Sequence, residues 1–230
     1  MRDISHDILY EDNHIIVVNK KPSDIIQGDK TGDMPLSEIT KLYIKKKYNK
    51  PGNVFCGVVH RLDRPVSGAV IFARTSKALP RLNEMLRKHE IHKKYWAVVE
   101  QKPKMEQGNL IHFLKKNPKQ NKSYIVKQTT EGALRAELNY KLIGASDKYY
   151  LLEIELLTGR HHQIRAQLAQ MGCIIKGDLK YGAKRSNKDA SIHLHSRYLK
   201  FIHPVKKTEI DLIAPPPKDP IWNFFVAKQS

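Results

Sequence analysis

The chain has 230 residues, enough for one domain with a sizeable core, and its 40% hydrophobic and 28% charged residues are typical of a globular rather than a disordered protein. Its 41 Lys and Arg against 23 Asp and Glu give a net charge of +18, which favours a polyanionic partner such as nucleic acid. A basic surface that serves only solubility, or one that binds an anionic membrane, is the alternative. No apolar run approaches the roughly 18 residues of a membrane span, and no signal peptide is recognised, so we expect a cytoplasmic protein.

The first third of the chain predicts short strands and two helices. Strands rich in β-branched residues are predicted at 8–10, 14–19 and 68–73. A helix is predicted after Asp33, because Leu36, Ile39 and Tyr43 recur at helical spacing. A second helix follows Thr75, which can cap it, and Pro80 within it predicts an irregular or late start.

The rest of the chain is richer in strands. Further strands are predicted at 95–100, 124–127, 133–143 and 149–157, and a helix at 160–171. Residues 115–122 (KKNPKQNK) predict a polar, lysine-rich loop. Because strands outnumber helices and do not alternate regularly with them, we predict an α+β fold with a mixed, largely antiparallel central sheet and flanking helices, in one domain over 1–230.

The segment from Val58 to Gly68 (VVHRLDRPVSG) joins two apolar runs through a polar turn. Asp63 lies there between Arg61 and Arg64, whose positive charges favour an ionised carboxylate, as a nucleophile requires. The alternative is an aspartate that only caps the turn and balances the two arginines.

A second polar segment runs from Leu156 to Leu168 (LLTGRHHQIRAQL). Thr158 and Gly159 end a strand and open a helix, so backbone N–H groups and Arg160 predict an anion site for a phosphate. Arg165 follows the apolar Ile164 and could enter a cleft to bind a carboxylate in a bidentate way. The alternative for Arg165 is a surface arginine that packs only its aliphatic stem.

Metal chemistry is not favoured by the sequence. His161 and His162 are adjacent, and His193 and His195 are one residue apart, but no Cys or carboxylate cluster accompanies either pair. The two cysteines, 56 and 173, match no metal or redox spacing, so we expect free thiols and no metal.

Six motifs, in order along the chain, resemble the RluA-type pseudouridine synthase family. They are Tyr10–Pro22 (YEDNHIIVVNKKP), His60–Asp63 (HRLD) followed by Ser67-Gly68, the K-x-Y-x-A element of Lys93, Tyr95 and Ala97, Leu157–Arg165, Gly177-Asp178 with Tyr181-Gly182, and the stretch from His195 to Pro204. This resemblance implies the pseudouridine synthase fold with its catalytic cleft. It also implies an enzyme that converts uridine to pseudouridine in ribosomal or transfer RNA without a cofactor.

The resemblance assigns roles to individual residues. Asp63 would be the nucleophile, Tyr95 would lie against the uracil ring and assist proton removal, and Arg165 would pair with the Asp63 carboxylate. Arg61 would hold the flipped-out conformation from the RNA side. The other residues expected to contact substrate or RNA are His60, Arg64, Leu157, Arg160, His162 and Gln163.

The chain departs from the family pattern at a few positions. Gln167 stands where the family often has His, Val66 where it often has Thr, and an extra Lys lengthens the Asn-Lys-Pro turn. No S4 domain precedes the first strand, so we expect a short, monomeric member. RNA capture would then depend on the helix around Lys45–Lys47 and on the loop 115–122.

Two other functions compete with the enzyme hypothesis. A non-catalytic RNA-binding or ribosome-assembly protein would share the basic charge, but it has no reason to keep Asp63, Tyr95 and Arg165 together. The other is a phosphodiesterase that uses the histidines, and sustained activity in excess EDTA would count against any metal-dependent version of it.

Overall fold

The computed structural model describes residues 2–229, which fall into two compact units. The first unit contains residues 2–93 and 196–216, and the second contains 94–195 and 217–229. Neither unit is continuous in sequence. That the chain acts as one catalytic domain over 1–230 stays a prediction.

Eleven strands and four α-helices make up the described structure, and their class is α+β with a mixed, largely antiparallel sheet, as predicted. In chain order they are β1 (Ile8–Glu11), β2 (Ile15–Lys20), α1 (Leu36–Lys47), β3 (Gly57–Val58), β4 (Ser67–Ala73), α2 (Ala78–Arg87), β5 (His92–Val99), β6 (Gln107–Asn117), β7 (Lys122–Val126), β8 (Leu134–Ala145), β9 (Tyr150–Leu156), α3 (Gln163–Gln170), β10 (Leu194–Ile202), β11 (Glu209–Ile213) and α4 (Pro220–Gln229). Residues 2–229 include no helix long and apolar enough to cross a membrane.

The first unit is built on a sheet in which β1, β2, β4 and β10 are neighbours in that order, while β11 pairs with β10 and β3 with β4. Helix α2 packs Leu82 against one face of this sheet, where Ile15, Val17 and Ile71 alternate with residues of the opposite face. Both faces of β2 and β4 are buried, which explains why these strands consist of continuous apolar runs. The strands predicted at 14–19 and 68–73 are confirmed.

Because Gly68 has no side chain, β4 can approach β10 closely at this position. Its φ is +116°, and a Cβ at this position would lie 2.4 Å from the carbonyl oxygen of Ser196. No other residue type fits this contact without moving the backbone. The glycine that ends the Asp63 segment is therefore required by strand packing.

The start of α2 agrees with its sequence signals. The hydroxyl of Thr75 accepts a hydrogen bond from the Ala78 N–H at 3.1 Å, and Pro80 lies within the first turn. The N–H groups of the first helical turn have no intrahelical acceptor, so a proline, which lacks an N–H, is tolerated there.

The second unit contains a sheet with the order β5, β9, β8, β6, β7. Ala166 of α3 packs against Leu114 and Ala136 on one face. Trp222 and Phe225 of α4 pack on the opposite face.

Two sequence expectations for the second unit were wrong. Residues 115–122 are not a loop, because β6 extends to Asn117 and β7 begins at Lys122, so only 118–121 form the turn of a hairpin. Strand β6 was missed because only one of its residues is fully buried and its polar residues are typical of a loop. Helix α3 begins at Gln163 rather than at residue 160, because His162 has a left-handed backbone with a φ of +54°.

Candidate active site

Asp63 lies in the connection between β3 and β4. Its side chain is half-buried, and the neighbouring Arg61 and Arg64 are exposed. The Asp63 carbonyl accepts a hydrogen bond from the Val66 N–H at 3.0 Å, which closes a tight turn directly after the carboxylate. The backbone around the carboxylate is therefore held in one conformation.

A buried lysine also stabilises this turn through hydrogen bonds to its backbone. Lys20 ends β2, is 1% exposed, and its Nζ donates to the carbonyl oxygens of Arg64 at 3.0 Å and Val66 at 2.5 Å. A third bond goes to the carbonyl of Lys21 at 3.0 Å. These three bonds satisfy all the donors of an ammonium group, which burial in this position requires.

Burial lowers the pKa of Lys20 from an ordinary value of 10.5 to about 7, although the negative charges of Asp24 and Asp63 oppose this change. Two consequences follow. The lysine interacts electrostatically with the proposed nucleophile, and its proton couples the stability of the first unit to pH.

The stability of the protein should consequently rise with pH through a window set by Lys20. The unfolded chain holds this proton up to about pH 10.5, whereas the folded protein releases it near pH 7. Stability increases wherever the unfolded state binds more protons, by about 1.4 kcal/mol for each unit of pKa difference. Between pH 7 and 10 the free energy of unfolding of the parent should rise by at least about 2 kcal/mol relative to Lys20→Met, as measured by urea denaturation.

The neighbouring lysine supplies a matched control. Lys21 is exposed and pairs with Asp7, so Lys21→Met should keep the pH dependence of the parent. Parallel stability curves for the parent and Lys20→Met would contradict the assignment.

His60 anchors the other side of the Asp63 turn. Its Nε2 accepts a hydrogen bond from the backbone N–H of Ile71 in β4 at 3.2 Å, which places the ring proton on Nδ1. Burial, together with the positive charge of Lys93, lowers the pKa of His60 to about 3, so the ring is neutral. The fold thus gives His60 a positioning task, and its predicted contact with RNA stays a prediction.

Arg64 makes local contacts within the first unit. Its guanidinium forms an exposed ion pair with Asp33 and donates to the Thr31 hydroxyl at 3.3 Å. Both partners lie in the polar segment before α1. An RNA phosphate that binds Arg64 would compete with this carboxylate.

Tyr95 lies near the start of β5 and is 5% exposed. In the strand register Tyr95 is opposite Ile154, which is opposite Tyr140 of β8. Tyr140 and Ala136 point to the same face because they are four residues apart on one strand. Tyr95 therefore shares a sheet face with α3, the helix that carries Arg165.

Arg165 is buried and bound to a carboxylate in a bidentate way. Its Nε donates to Asp178 Oδ2 at 2.7 Å and its Nη2 to Asp178 Oδ1 at 2.8 Å, and both side chains are at most 5% exposed. The sequence suggested a bidentate arginine here but did not identify Asp178 as a site residue. The only signal for Asp178 was its place in the Gly177-Asp178 motif.

His162 and Tyr181 extend this pair into a hydrogen-bonded chain. Arg165 Nη1 lies 3.0 Å from His162 Nε2, and His162 Nδ1 lies 3.1 Å from the Tyr181 hydroxyl. Because an arginine can only donate, His162 Nε2 accepts and the imidazole proton lies on Nδ1. His161 stacks on His162 with ring centres 3.8 Å apart. Within residues 2–229 there is no group of three His, Cys, Asp or Glu side chains suited to a metal ion.

Part of the anion site predicted at Thr158 and Gly159 already has partners within the protein, and phosphate binding there stays a prediction. The Arg160 N–H donates to the side-chain oxygen of Gln163 at 2.9 Å, and the Thr158 hydroxyl donates to the same oxygen at 2.8 Å. Gln163 is 2% exposed, so its amide stabilises the start of α3. The side chain of Arg160 is exposed and donates through Nε to the Arg135 carbonyl, and Leu157 is also exposed.

The predicted site residues are distributed over both units. His60, Arg61, Asp63 and Arg64 belong to the first unit, while Tyr95, Leu157, Arg160, His162, Gln163 and Arg165 belong to the second. The structure brings Arg165 and His162 together and holds Asp63 on an anchored turn. That Asp63, Tyr95 and Arg165 share one pocket stays a prediction.

Comparison with known proteins gives consistent results. A family model described as RNA pseudouridylate synthase matches residues 14–170. The chain is 31% identical over 231 residues to the ribosomal large subunit pseudouridine synthase D of Xylella fastidiosa, an alignment that covers 95% of this chain and 68% of the relative. It is 34% identical over 216 residues to the ribosomal large subunit pseudouridine synthase C of Buchnera aphidicola, covering 90% of this chain and 66% of the relative.

A solved structure shows the same fold. Human RNA pseudouridylate synthase domain containing 4 superposes with a TM-score of 0.80 at 21% identity, covering 98% of this chain and 94% of that one. At this level of identity the similarity concerns the fold alone.

Proposed function

The chain belongs to the RluA-type RNA pseudouridine synthase family, and we propose that it isomerises uridine in large-subunit ribosomal RNA with Asp63 as the nucleophile. The reaction breaks the bond between uracil N1 and the ribose C1′ and forms a bond between uracil C5 and C1′. The proton on C5 is released and N1 gains a proton, so atoms balance without a redox cofactor or a nucleotide. What the reaction requires is a nucleophile and a pocket that retains the base between the two bonds.

The anchored turn that carries Asp63 is the observation that supports this proposal most directly. Lys20 and His60 hold the backbone on either side of the carboxylate, whose own side chain remains half-buried rather than sealed in the core. A nucleophile needs both a defined position and access to substrate. An aspartate that merely capped a turn would need neither anchor.

Tyr95 and Arg165 complete the proposed catalytic set. Tyr95 would lie against the uracil ring and assist removal of the C5 proton, and Arg165 would pair with the Asp63 carboxylate. The bidentate contact with Asp178 supports this role, because it fixes the orientation of a buried guanidinium before substrate arrives.

The target uridine must leave the base stack to reach an enzyme carboxylate. Unstacking costs a few kcal/mol and least in loops and bulges, so we propose a flipped-out uridine in an unpaired region, held by Arg61 from the RNA side. The net charge of +18 offsets part of this cost through phosphate contacts.

Ribosomal RNA is favoured over transfer RNA by the names of the two relatives described above, which are large-subunit enzymes of types D and C. We further propose that the enzyme acts in the cytoplasm as a monomer and without metal.

The test is conversion of defined transcripts by the purified protein. Unmodified large-subunit ribosomal RNA and a pool of transfer RNA transcripts are incubated in excess EDTA, and pseudouridines are mapped by reverse transcription after carbodiimide treatment. New pseudouridine in the ribosomal transcript is the expected result. Modification of transfer RNA alone would overturn the proposed target, and a requirement for metal would overturn the proposed chemistry.

A further inference from the structure

The hairpin of β6 and β7 concentrates positive charge. Residues 113–127, which we call the lysine ribbon, contain five lysines (115, 116, 119, 122 and 127) and no Asp or Glu. Within residues 2–229, Lys115, Lys116 and Lys119 form no ion pair. Five like charges this close repel one another and lower the stability of the fold, so the cluster is not explained by a contribution to folding.

The charges point in several directions from the tip of the ribbon. Lys115 is opposite Tyr124 on one face, Lys116 is opposite Ser123 on the other face, and Lys119 lies in the turn. The ribbon also lies at the edge of the sheet, because β7 is its last strand. A polyanion that bends around the tip could therefore contact lysines on both faces and in the turn.

The turn of the ribbon is held rigidly, unlike a loose basic loop. Lys180 Nζ donates to the carbonyl oxygens of Gln120 and Asn121 at 3.1 and 3.2 Å. His161 contacts the side chains of Asn121 and Ser123 through its two ring nitrogens at 3.1 and 2.8 Å. Such a built turn limits the entropy that docking would cost.

The same contacts connect the ribbon to Arg165. The Tyr181 hydroxyl accepts from the Ser123 N–H at 3.0 Å and donates to the Ser123 carbonyl at 2.9 Å. Tyr181 is in turn hydrogen-bonded to His162, and His162 is hydrogen-bonded to Arg165. Within the second unit, a ligand fixed at the ribbon is therefore fixed in register with the proposed catalytic arginine.

We infer that the lysine ribbon is a docking surface for the sugar-phosphate backbone of the substrate RNA. This inference rests on the proposed function for the identity of the partner. The favoured partner is RNA because the cluster complements a polyanion and because the family acts on RNA. Lysines recognise phosphate charge rather than base sequence, so the ribbon would contribute affinity and register but not the choice of uridine.

The test is the triple variant Lys115→Gln, Lys116→Gln and Lys119→Gln. The probe is a fluorescein-labelled stem-loop RNA with a uridine-rich loop, and binding is measured by anisotropy in the Asp63→Asn background so that turnover does not interfere. We expect at least about tenfold weaker binding at low salt. The slope of log K against log salt should also fall by about 2 to 3, since each lost phosphate contact removes about 0.7 to 0.9.

A matched control removes the same charge at the opposite end of the strands. Lys102 and Lys104 precede β6 and Lys148 lies in the β8–β9 turn, about 30 Å from the ribbon tip along an 11-residue strand. The triple glutamine variant at these positions should keep the affinity and nearly the whole salt slope. Thermal denaturation checks that both triples are folded.

The outcomes separate this inference from the proposed function. If both triple variants lose RNA binding equally, the ribbon is not a specific docking surface. If the ribbon triple loses no RNA binding, the docking surface for RNA is also overturned, and an acidic protein becomes the alternative partner. The unsubstituted protein, which keeps Asp63, could bind the probe through the ribbon and yet make no pseudouridine in any transcript. In that case the proposed function fails while the docking surface stands.

Discussion

Replacement of Asp63 by asparagine is expected to lower the rate of pseudouridine formation by at least about four orders of magnitude, because the amide cannot serve as a nucleophile. The change is nearly isosteric and leaves the backbone anchors from Lys20 and His60 in place. RNA affinity should therefore stay within about threefold of the parent, since affinity comes mainly from phosphate contacts elsewhere. Release of tritium from RNA labelled at uracil C5 measures the rate, and anisotropy measures affinity.

Asp29→Asn is the matched control for this experiment. It removes one carboxylate from the same unit, but Asp29 is exposed and its side chain accepts hydrogen bonds from the nearby Thr31. The control should turn over at the parental rate. Substantial turnover by Asp63→Asn, in a sample free of parental enzyme, would mean that another group performs the attack.

Removal of the Asp178 carboxylate is expected to have the largest effect on stability. Asp178→Asn leaves the guanidinium of Arg165 buried with one of its charge partners lost, which costs about 3 to 5 kcal/mol in buried pairs of this kind. For a chain of this size the loss corresponds to a decrease of about 10 °C in Tm, measured by calorimetry or circular dichroism. Turnover should fall as well, because the arginine loses its fixed orientation.

Two further variants sharpen the interpretation. Glu84→Gln breaks the exposed pair with Lys88 and should leave Tm nearly unchanged, because solvent screens that pair. The double variant Arg165→Met with Asp178→Leu should recover much of the stability that Asp178→Asn loses, since it removes both charges of the buried pair, yet it should remain inactive. A Tm for Asp178→Asn equal to that of the parent would show that the buried pair is not a stability determinant.

The aspartate proposed to react was a candidate from the sequence alone. Asp63 lies in a polar turn between two apolar strands and between two arginines, and these features are all visible within about ten residues. The helices around Leu36 and Thr75 and the buried strands at 14–19 and 68–73 were equally accessible. Each depends on a local pattern of apolar spacing or on a capping residue.

The supporting residues were not accessible in the same way. The turn Asn19-Lys20-Lys21-Pro22 contains two lysines, and nothing in its composition indicates that Lys20 is buried and Lys21 exposed. Asp178 is 13 residues from Arg165, and only the folded chain pairs them. Gln163 and His60 accept hydrogen bonds from the backbone N–H groups of Arg160 and Ile71, which the sequence did not indicate. Their contact with RNA stays a prediction.

By itself, the sequence determined the α+β class, the basic charge suited to RNA, the family and the aspartate proposed to react, because short-range periodicity and ordered motifs encode them. Only the tertiary structure decided which lysine supports that aspartate, which carboxylate orients Arg165, and that the lysine-rich segment is a rigid ribbon rather than a loop. The physical reason is that burial selects hydrogen-bond partners. A buried polar group must find its partner in space, and that partner lies at any distance along the chain.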